Sequence, residues 1–102
     1  MQFLITAYDY KDEGALERRM SVRPKHLENL GAVMKKGKII SAGGIKDAEG
    51  HLIGSVLIMD FETREMLDEY LAGEPYVTGN VWEDIRVETI AVVISENRFV
   101  GK

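Results

Sequence analysis

The sequence contains no cysteine, so neither a disulfide framework nor a zinc site built on thiolates can form. It has no excess of basic residues either: 13 Lys and Arg stand against 17 Asp and Glu, which gives a formal net charge of −4. Because phosphate contacts need clustered Lys and Arg, we expect no nucleic-acid partner. No apolar run approaches the length of a membrane span, so we expect no membrane partner.

What the chain does contain is typical of one small folded domain. It has 102 residues, of which 45% are apolar and 29% are charged, a balance found in globular rather than disordered chains. The N-terminal segment lacks the basic region of a signal peptide and turns polar by Asp9. We therefore expect a cytoplasmic protein.

The spacing of apolar residues predicts the element order βαββαβ. A helix is expected to begin at Thr63 and to end at Gly73, while Gly37 ends the first helix. This order is that of a ferredoxin-like α+β domain, with a four-stranded antiparallel sheet and both helices on one face. The domain is predicted to span residues 1–94, and residues 95–102 to form a tail or a dimer arm. The predicted strands are 3–9, 38–42, 52–61 (interrupted at Gly54 by a bulge or a close backbone approach) and 81–94.

The first helix contains one of two prolines and one of two histidines within four residues, Arg23-Pro24-Lys25-His26. Because proline lacks a backbone N–H and clashes with the preceding turn, we predict a break or kink between Ser21 and Pro24, with Ser21 capping the continuation. An apolar stripe along this helix is predicted to face the core, with Leu27 and Leu30 as buried members. The stripe comprises Leu16, Met20, Leu27, Leu30 and Met34.

The strands have apolar residues on both faces, although the helices cover only one. In the first strand Leu4 and Tyr8 lie on one face, and Phe3 and Ile5 on the other. A second copy of the sheet would cover the open face. We therefore predict a homodimer, or a higher oligomer built from it.

The sequence resembles the YciI-like proteins, a family of small ferredoxin-like domains that pair into dimeric α/β barrels. The similarity extends over residues 1 to about 94, nearly the whole of a domain of this size. Two positions depart from the family pattern: its usual Asp-Pro-Tyr is Glu74-Pro75-Tyr76 here, and Gly44 replaces a common proline. The matching stretches are the first strand with its terminal Asp9, residues 18–27, residues 37–44, Gly54 and residues 74–76.

The resemblance implies a His–Asp pair in a pocket, which falls on His26 and Asp9. Histidine changes charge near neutral pH, and a carboxylate would fix its tautomer and stabilise the imidazolium. Arg23 would bind a substrate carboxylate through its two-pronged guanidinium, and Glu74 and Tyr76 would line the same pocket. The resemblance further implies dehydrochlorination or isomerisation of small oxidised ring-cleavage acids.

The residues themselves leave other interpretations open. His26 would serve equally as a histidine bonded to the backbone, Arg23 as a surface ion pair, and Glu74 to Tyr76 as a loop anchored by Pro75. A metal site needs several convergent ligands, and only His26 is suitably placed, so we expect no metal and no cofactor. The expected ligand is a small organic anion. Besides an enzyme, the chain would suit a non-catalytic ligand-binding or structural dimer, or a dimeric α/β-barrel monooxygenase.

Overall fold

The structure, a computed structural model, describes residues 1–101. Its main elements follow the predicted βαββαβ order, with a short extra helix and a C-terminal hairpin. The helices are α1 (Ala15–Lys35), α2 (Arg64–Ala72) and α3 (Pro75–Thr78). The strands are β1 (Gln2–Asp9), β2 (Ile39–Lys46), β3 (Leu52–Asp60), β4 (Trp82–Ile90), β5 (Ile94–Ser95) and β6 (Arg98–Phe99). No helix within the described residues is long and apolar enough to cross a membrane.

The four long strands form one antiparallel sheet in the order β2-β3-β1-β4, which confirms the predicted α+β architecture. Strand β1 is central, and its Ile5 pairs with Leu57 of β3 on one side and with Val87 of β4 on the other. Phe3 and Ile5 are fully buried and belong to one core cluster with Leu67 of α2. The helices therefore cover the face of β1 that carries Phe3, Ile5, Ala7 and Asp9.

The predicted break in the first helix is wrong, because α1 runs without interruption through Pro24. Ser21 caps nothing; its hydroxyl donates a hydrogen bond to the Arg18 carbonyl. Proline removes one hydrogen bond from a helix interior. Tertiary packing offsets that loss here, since Arg19 and His26 are both buried on either side of Pro24.

The core-facing side of α1 also differs from the prediction. Its buried residues are Arg19, His26 and Val33. They are spaced seven positions apart, which is about two helical turns, so they lie on one face of the helix. Leu27 is 45% exposed, so its assignment to the core is wrong, and Leu30 is half-buried against the core. The buried face of α1 is thus partly polar. The exposed apolar residues beside it, here called the α1 flank, are Leu16, Met20, Leu27 and Met34.

The predicted ends of the helices are confirmed. The Thr63 hydroxyl accepts a hydrogen bond from the Met66 backbone N–H at 3.1 Å, and Gly73 caps the other end of α2. Gly37 follows α1 with a φ of +71°, a conformation that glycine adopts without strain.

Gly54 marks a close approach of two strands, the second of the two alternatives predicted for this position. A Cβ atom at this position would lie 2.5 Å from the Ala7 carbonyl oxygen of β1. Only glycine fits there without separating β1 from β3. The neighbouring residue Ser55 thereby pairs with Ala7, two residues before the end of β1.

The C-terminal segment, which was predicted to be a tail or a dimer arm, contains regular structure. Strand β4 ends at Ile90, four residues earlier than expected, and β5 and β6 form a separate hairpin. Its turn residues Glu96 and Asn97 have φ values of 53° and 61°, the left-handed conformation that two-residue hairpin turns require. The Gln2 side chain accepts a hydrogen bond from the Val92 N–H at 2.7 Å, which ties this segment to β1.

Candidate functional site

A buried ion pair joins the end of β1 to the first turns of α1. Arg19 Nη1 donates to both carboxylate oxygens of Asp9, at 2.8 and 2.9 Å. The two residues are 3% and 5% exposed. Burial raises the pKa of Asp9 above its usual value, and the guanidinium of Arg19 opposes that shift through its hydrogen bonds and charge. Asp9 thus holds Arg19 in one orientation.

Ser55 connects this ion pair to β4. Its Oγ accepts one hydrogen bond from Arg19 Nη2 at 2.9 Å and a second from Trp82 Nε1 at 3.1 Å. Ser55 lies opposite Ala7 in the sheet, and Trp82 lies opposite Asp9. All of these side chains lie on the helix-covered face. Three strands and α1 therefore contribute to one hydrogen-bonded group.

A second buried pair forms between α1 and the start of α3. His26 Nδ1 lies 2.5 Å from Glu74 Oε1, and the other carboxylate oxygen of Glu74 accepts a hydrogen bond from the Tyr76 backbone N–H at 2.9 Å. Glu74 is the N-cap of α3 and is fully buried, and Pro75 occupies the first turn. Because Glu74 occupies Nδ1, Nε2 is the ring nitrogen left for other chemistry.

Aromatic packing joins the two pairs. The Tyr76 ring stacks on the His26 ring with centroids 3.8 Å apart, and the guanidinium carbon of Arg19 lies 4.8 Å from the centre of the Tyr76 ring. Trp82 meets the His26 ring edge-on at 5.9 Å. Burial raises the pKa of the Tyr76 phenol, so Tyr76 is a neutral packing group at neutral pH.

The predicted contact between His26 and Asp9 is wrong. The Asp9 oxygens accept from Arg19, and the carboxylate that touches His26 belongs to Glu74. The physical reason is placement along α1: Arg19 lies two turns before His26 and reaches the end of β1 first. The catalytic and binding roles of these residues stay predictions.

Sequence reasoning missed Arg19 and Ser55. For Arg19 a signal exists, because Arg19, His26 and Val33 are seven residues apart and define one face of α1. For Ser55 the only signal is Gly54 beside it, which marks the close approach of β3 to β1.

His26 lines a cavity of about 250 Å³ between α1 and the sheet, together with Arg19, Ser55 and Tyr76. The volume lies just below the ~300–1,000 Å³ typical of small-molecule pockets, so a single-ring ligand fits it better than an extended one. Arg23 is exposed and also lines the cavity, so the structure brings this residue to the predicted site. Gly43 and Gly44 of β2 also line the cavity. Asp9 and Glu74 are not among its lining residues and are connected to it through Arg19 and His26.

Comparison with known proteins gives consistent matches over nearly the whole chain. The family model described as the YCII-related domain matches residues 1–91. Protein YciI of Escherichia coli O6:H1 is 32% identical over 94 residues, which cover 86% of this chain and 94% of that protein. A protein of Haemophilus influenzae is 31% identical over the same length, with the same coverage.

One solved structure aligns closely with the fold. It is the 5-chloro-2-hydroxyhydroquinone dehydrochlorinase TftG of Burkholderia phenoliruptrix AC1100 in complex with 2,5-dihydroxybenzoquinone. The TM-score is 0.79 and the identity 26%, and the alignment covers 89% of this chain and 94% of TftG.

Proposed function

The chain belongs to the YciI-like family, and from this membership and its site we propose that it is an enzyme that moves a proton on a small organic acid, in an elimination or an isomerisation. One observation carries the proposal: His26, 2.5 Å from the buried Glu74, lines a small cavity. A general base needs a titratable side chain within reach of substrate and a second group that orients it. His26 supplies the first and Glu74 the second.

The geometry assigns separate roles to the parts of the pair. Glu74 accepts at Nδ1 and is itself fixed by the Tyr76 backbone N–H, which leaves Nε2 to take the substrate proton. The carboxylate then stabilises the imidazolium that forms. The stacked Tyr76 ring keeps the imidazole in one plane. Asp9, which was expected to act as the partner of His26, acts in this proposal on Arg19.

The similarity to TftG supports a chlorinated trihydroxybenzene as the substrate. In the elimination, one ring-hydroxyl proton first moves to the carbon that carries chlorine, which gives a keto tautomer. His26 then takes the proton of a second hydroxyl while the carbon–chlorine bond breaks. Chloride leaves with the bonding electron pair, and the net loss of HCl leaves a hydroxybenzoquinone, so no external oxidant is needed. The cationic side chains Arg19 and Arg23 on the cavity wall suit the anionic oxygen of such a ring.

Chloride release from 5-chloro-2-hydroxyhydroquinone tests the proposal. The wild-type protein is expected to release chloride faster than buffer alone, and His26→Asn is expected to remove that acceleration. Binding of 2,5-dihydroxybenzoquinone without turnover of the chlorinated ring would favour the non-catalytic ligand-binding alternative.

We further propose that two copies pair through the open face of the sheet. Leu4 and Ile58 are neighbours on that face and are only half-buried in the single chain, and Tyr8 is 41% exposed. Light scattering is expected to give about twice the 11.5 kDa chain mass. Ile58→Lys should give a monomer, whereas the matched variant Met34→Lys on the α1 flank should leave the dimer intact. The reverse pattern would place the interface on the α1 flank.

A further inference from the structure

The Ser55 hydroxyl has a hydrogen that none of its described bonds uses. A serine hydroxyl offers one O–H donor and two acceptor lone pairs. Both lone pairs are occupied, one by Arg19 Nη2 and one by Trp82 Nε1. The hydrogen is therefore available for donation, and no acceptor within residues 1–101 receives it. Ser55 is only 3% exposed, so bulk water does not readily supply an acceptor.

Arg19 has a second unused donor in the same place. Its Nη1 group donates to Asp9 and its Nη2 group to Ser55, but the buried Nε atom has no hydrogen-bond partner among the described residues. Buried N–H groups without acceptors are rare in folded proteins, because their desolvation is not compensated. Two donors without acceptors thus occur on Ser55 and Arg19, which are hydrogen-bonded to each other.

Both residues line the cavity that contains His26. From this arrangement we propose that Ser55 and Arg19 form an oxyanion subsite, in which the Ser55 hydroxyl and the Arg19 Nε–H donate to an ionised oxygen of the ligand. The class of ligand is an acidic ring or acid, with a carboxylate, phenolate or hydroxyquinone oxygen. The identification of the ligand as a small acid rests on the proposed function.

The subsite offers only hydrogen-bond donors, so it binds only acceptor oxygens. Its donors are held in place before the ligand arrives. Both oxygens of Asp9 are occupied by Arg19, so they offer nothing to a ligand hydroxyl. The guanidinium is fixed by Asp9 on one side and by the Tyr76 ring beneath it. Preorganised charged donors bind an anion without losing side-chain conformational entropy, whereas a surface arginine loses that entropy when it becomes ordered. The exposed Arg23 lacks this support.

The first test compares the affinities of wild type and Ser55→Ala for 2,5-dihydroxybenzoquinone, measured by absorbance titration. Loss of a hydrogen bond to a charged group is expected to weaken binding about tenfold or more. Ser41→Ala on β2, an exposed serine outside this cavity, is the matched control and should bind as wild type does. Thermal melting establishes that both variants are folded. Equal affinity of folded Ser55→Ala and wild type would overturn the subsite.

A second test uses the wild-type protein, so it holds even if Ser55→Ala does not fold. The ¹H–¹⁵N resonance of Arg19 Nε is expected to shift on addition of 2,5-dihydroxybenzoquinone, and its hydrogen should exchange more slowly with water. A response of Arg23 Nε alone, or no response and no binding, would overturn the inference. Shifts at Arg19 without chloride release would leave the subsite standing and reject the proposed reaction. Chloride release with an unchanged Arg19 resonance would support the proposed reaction and overturn the subsite.

Discussion

Replacing Arg19 with methionine is expected to lower the free energy of unfolding by about 3–5 kcal/mol, the usual result of breaking a buried ion pair from one side. The substitution keeps the length of the side chain but leaves the Asp9 carboxylate buried without a cation, and it also removes a donor to Ser55. Urea or guanidinium denaturation, monitored by the fluorescence of Trp82, measures the effect.

Two controls isolate the ion pair. Arg64 makes a pair of similar length with Asp68, at 2.8 Å, but on the exposed surface of α2, so Arg64→Met should leave stability almost unchanged. The double variant Asp9→Asn with Arg19→Met should be more stable than Arg19→Met alone, because no unpaired charge remains. A double variant no more stable than the single one would show that packing, rather than charge, sets the loss.

The loss in Arg19→Met is also expected to depend on pH. Burial raises the pKa of Asp9 and Arg19 opposes that shift, so removing Arg19 raises the pKa further. A folded-state pKa above the unfolded value means that this carboxyl favours folding at low pH and disfavours it as pH rises through the folded-state pKa. The deficit of Arg19→Met should therefore shrink between about pH 7 and pH 4, as Asp9 takes up a proton. A deficit constant over this range would contradict a buried, unpaired carboxylate.

Substituting either member of the His26–Glu74 pair is expected to slow chloride release by about 10²–10⁴-fold, the usual contribution of a positioned acid–base group. His26→Asn removes the proposed base. Glu74→Gln keeps the size of the side chain but removes the charge that, in the proposed mechanism, stabilises the imidazolium. Because the two act as a unit, the double variant should lose much less than the product of the two single losses. Fully multiplicative losses would show that they act independently.

The variant Asp9→Asn distinguishes the His26–Glu74 pair from the His26–Asp9 pair that the sequence predicted. The ¹⁵N chemical shifts of the His26 ring nitrogens report which nitrogen carries the proton. Glu74→Gln should change them, since it alters the group bonded to Nδ1. Asp9→Asn should leave them nearly unchanged, because Asp9 is bonded to Arg19. Shifts that follow Asp9 instead would reverse the assignment of the orienting carboxylate.

The order of elements could be predicted because period-2 and helical patterns are local properties of a sequence. The orientation of α1 could not, because hydrophobicity favours burial of Leu27 over Arg19. Arg19 is buried because Asp9 and Ser55 satisfy its charge and donors, and these partners lie on two strands. The local pattern of apolar residues in a sequence does not show which residues become neighbours in the tertiary structure.

The site was predictable to the level of His26 in a pocket with a nearby carboxylate. Which carboxylate it contacts was not, because Asp9 and Glu74 both occur at the ends of elements and sequence distance does not rank them. The short helix α3 was within reach: Glu74 as N-cap followed by Pro75 is a typical helix start. Recognising it would have shown that Glu74 is held rigidly.

The contacts that build the site join positions far apart in the chain: His26 and Glu74 are separated by 48 residues, Arg19 and Ser55 by 36, and Ser55 and Trp82 by 27. Closing long loops is slow relative to forming helices, because loop entropy is lost before the contact forms. A nascent chain that has not yet released Glu74 from the ribosome can form α1 but has no acceptor for His26 Nδ1. The hydrogen-bonded group around the cavity is therefore complete only once β4, which carries Trp82, has joined the sheet.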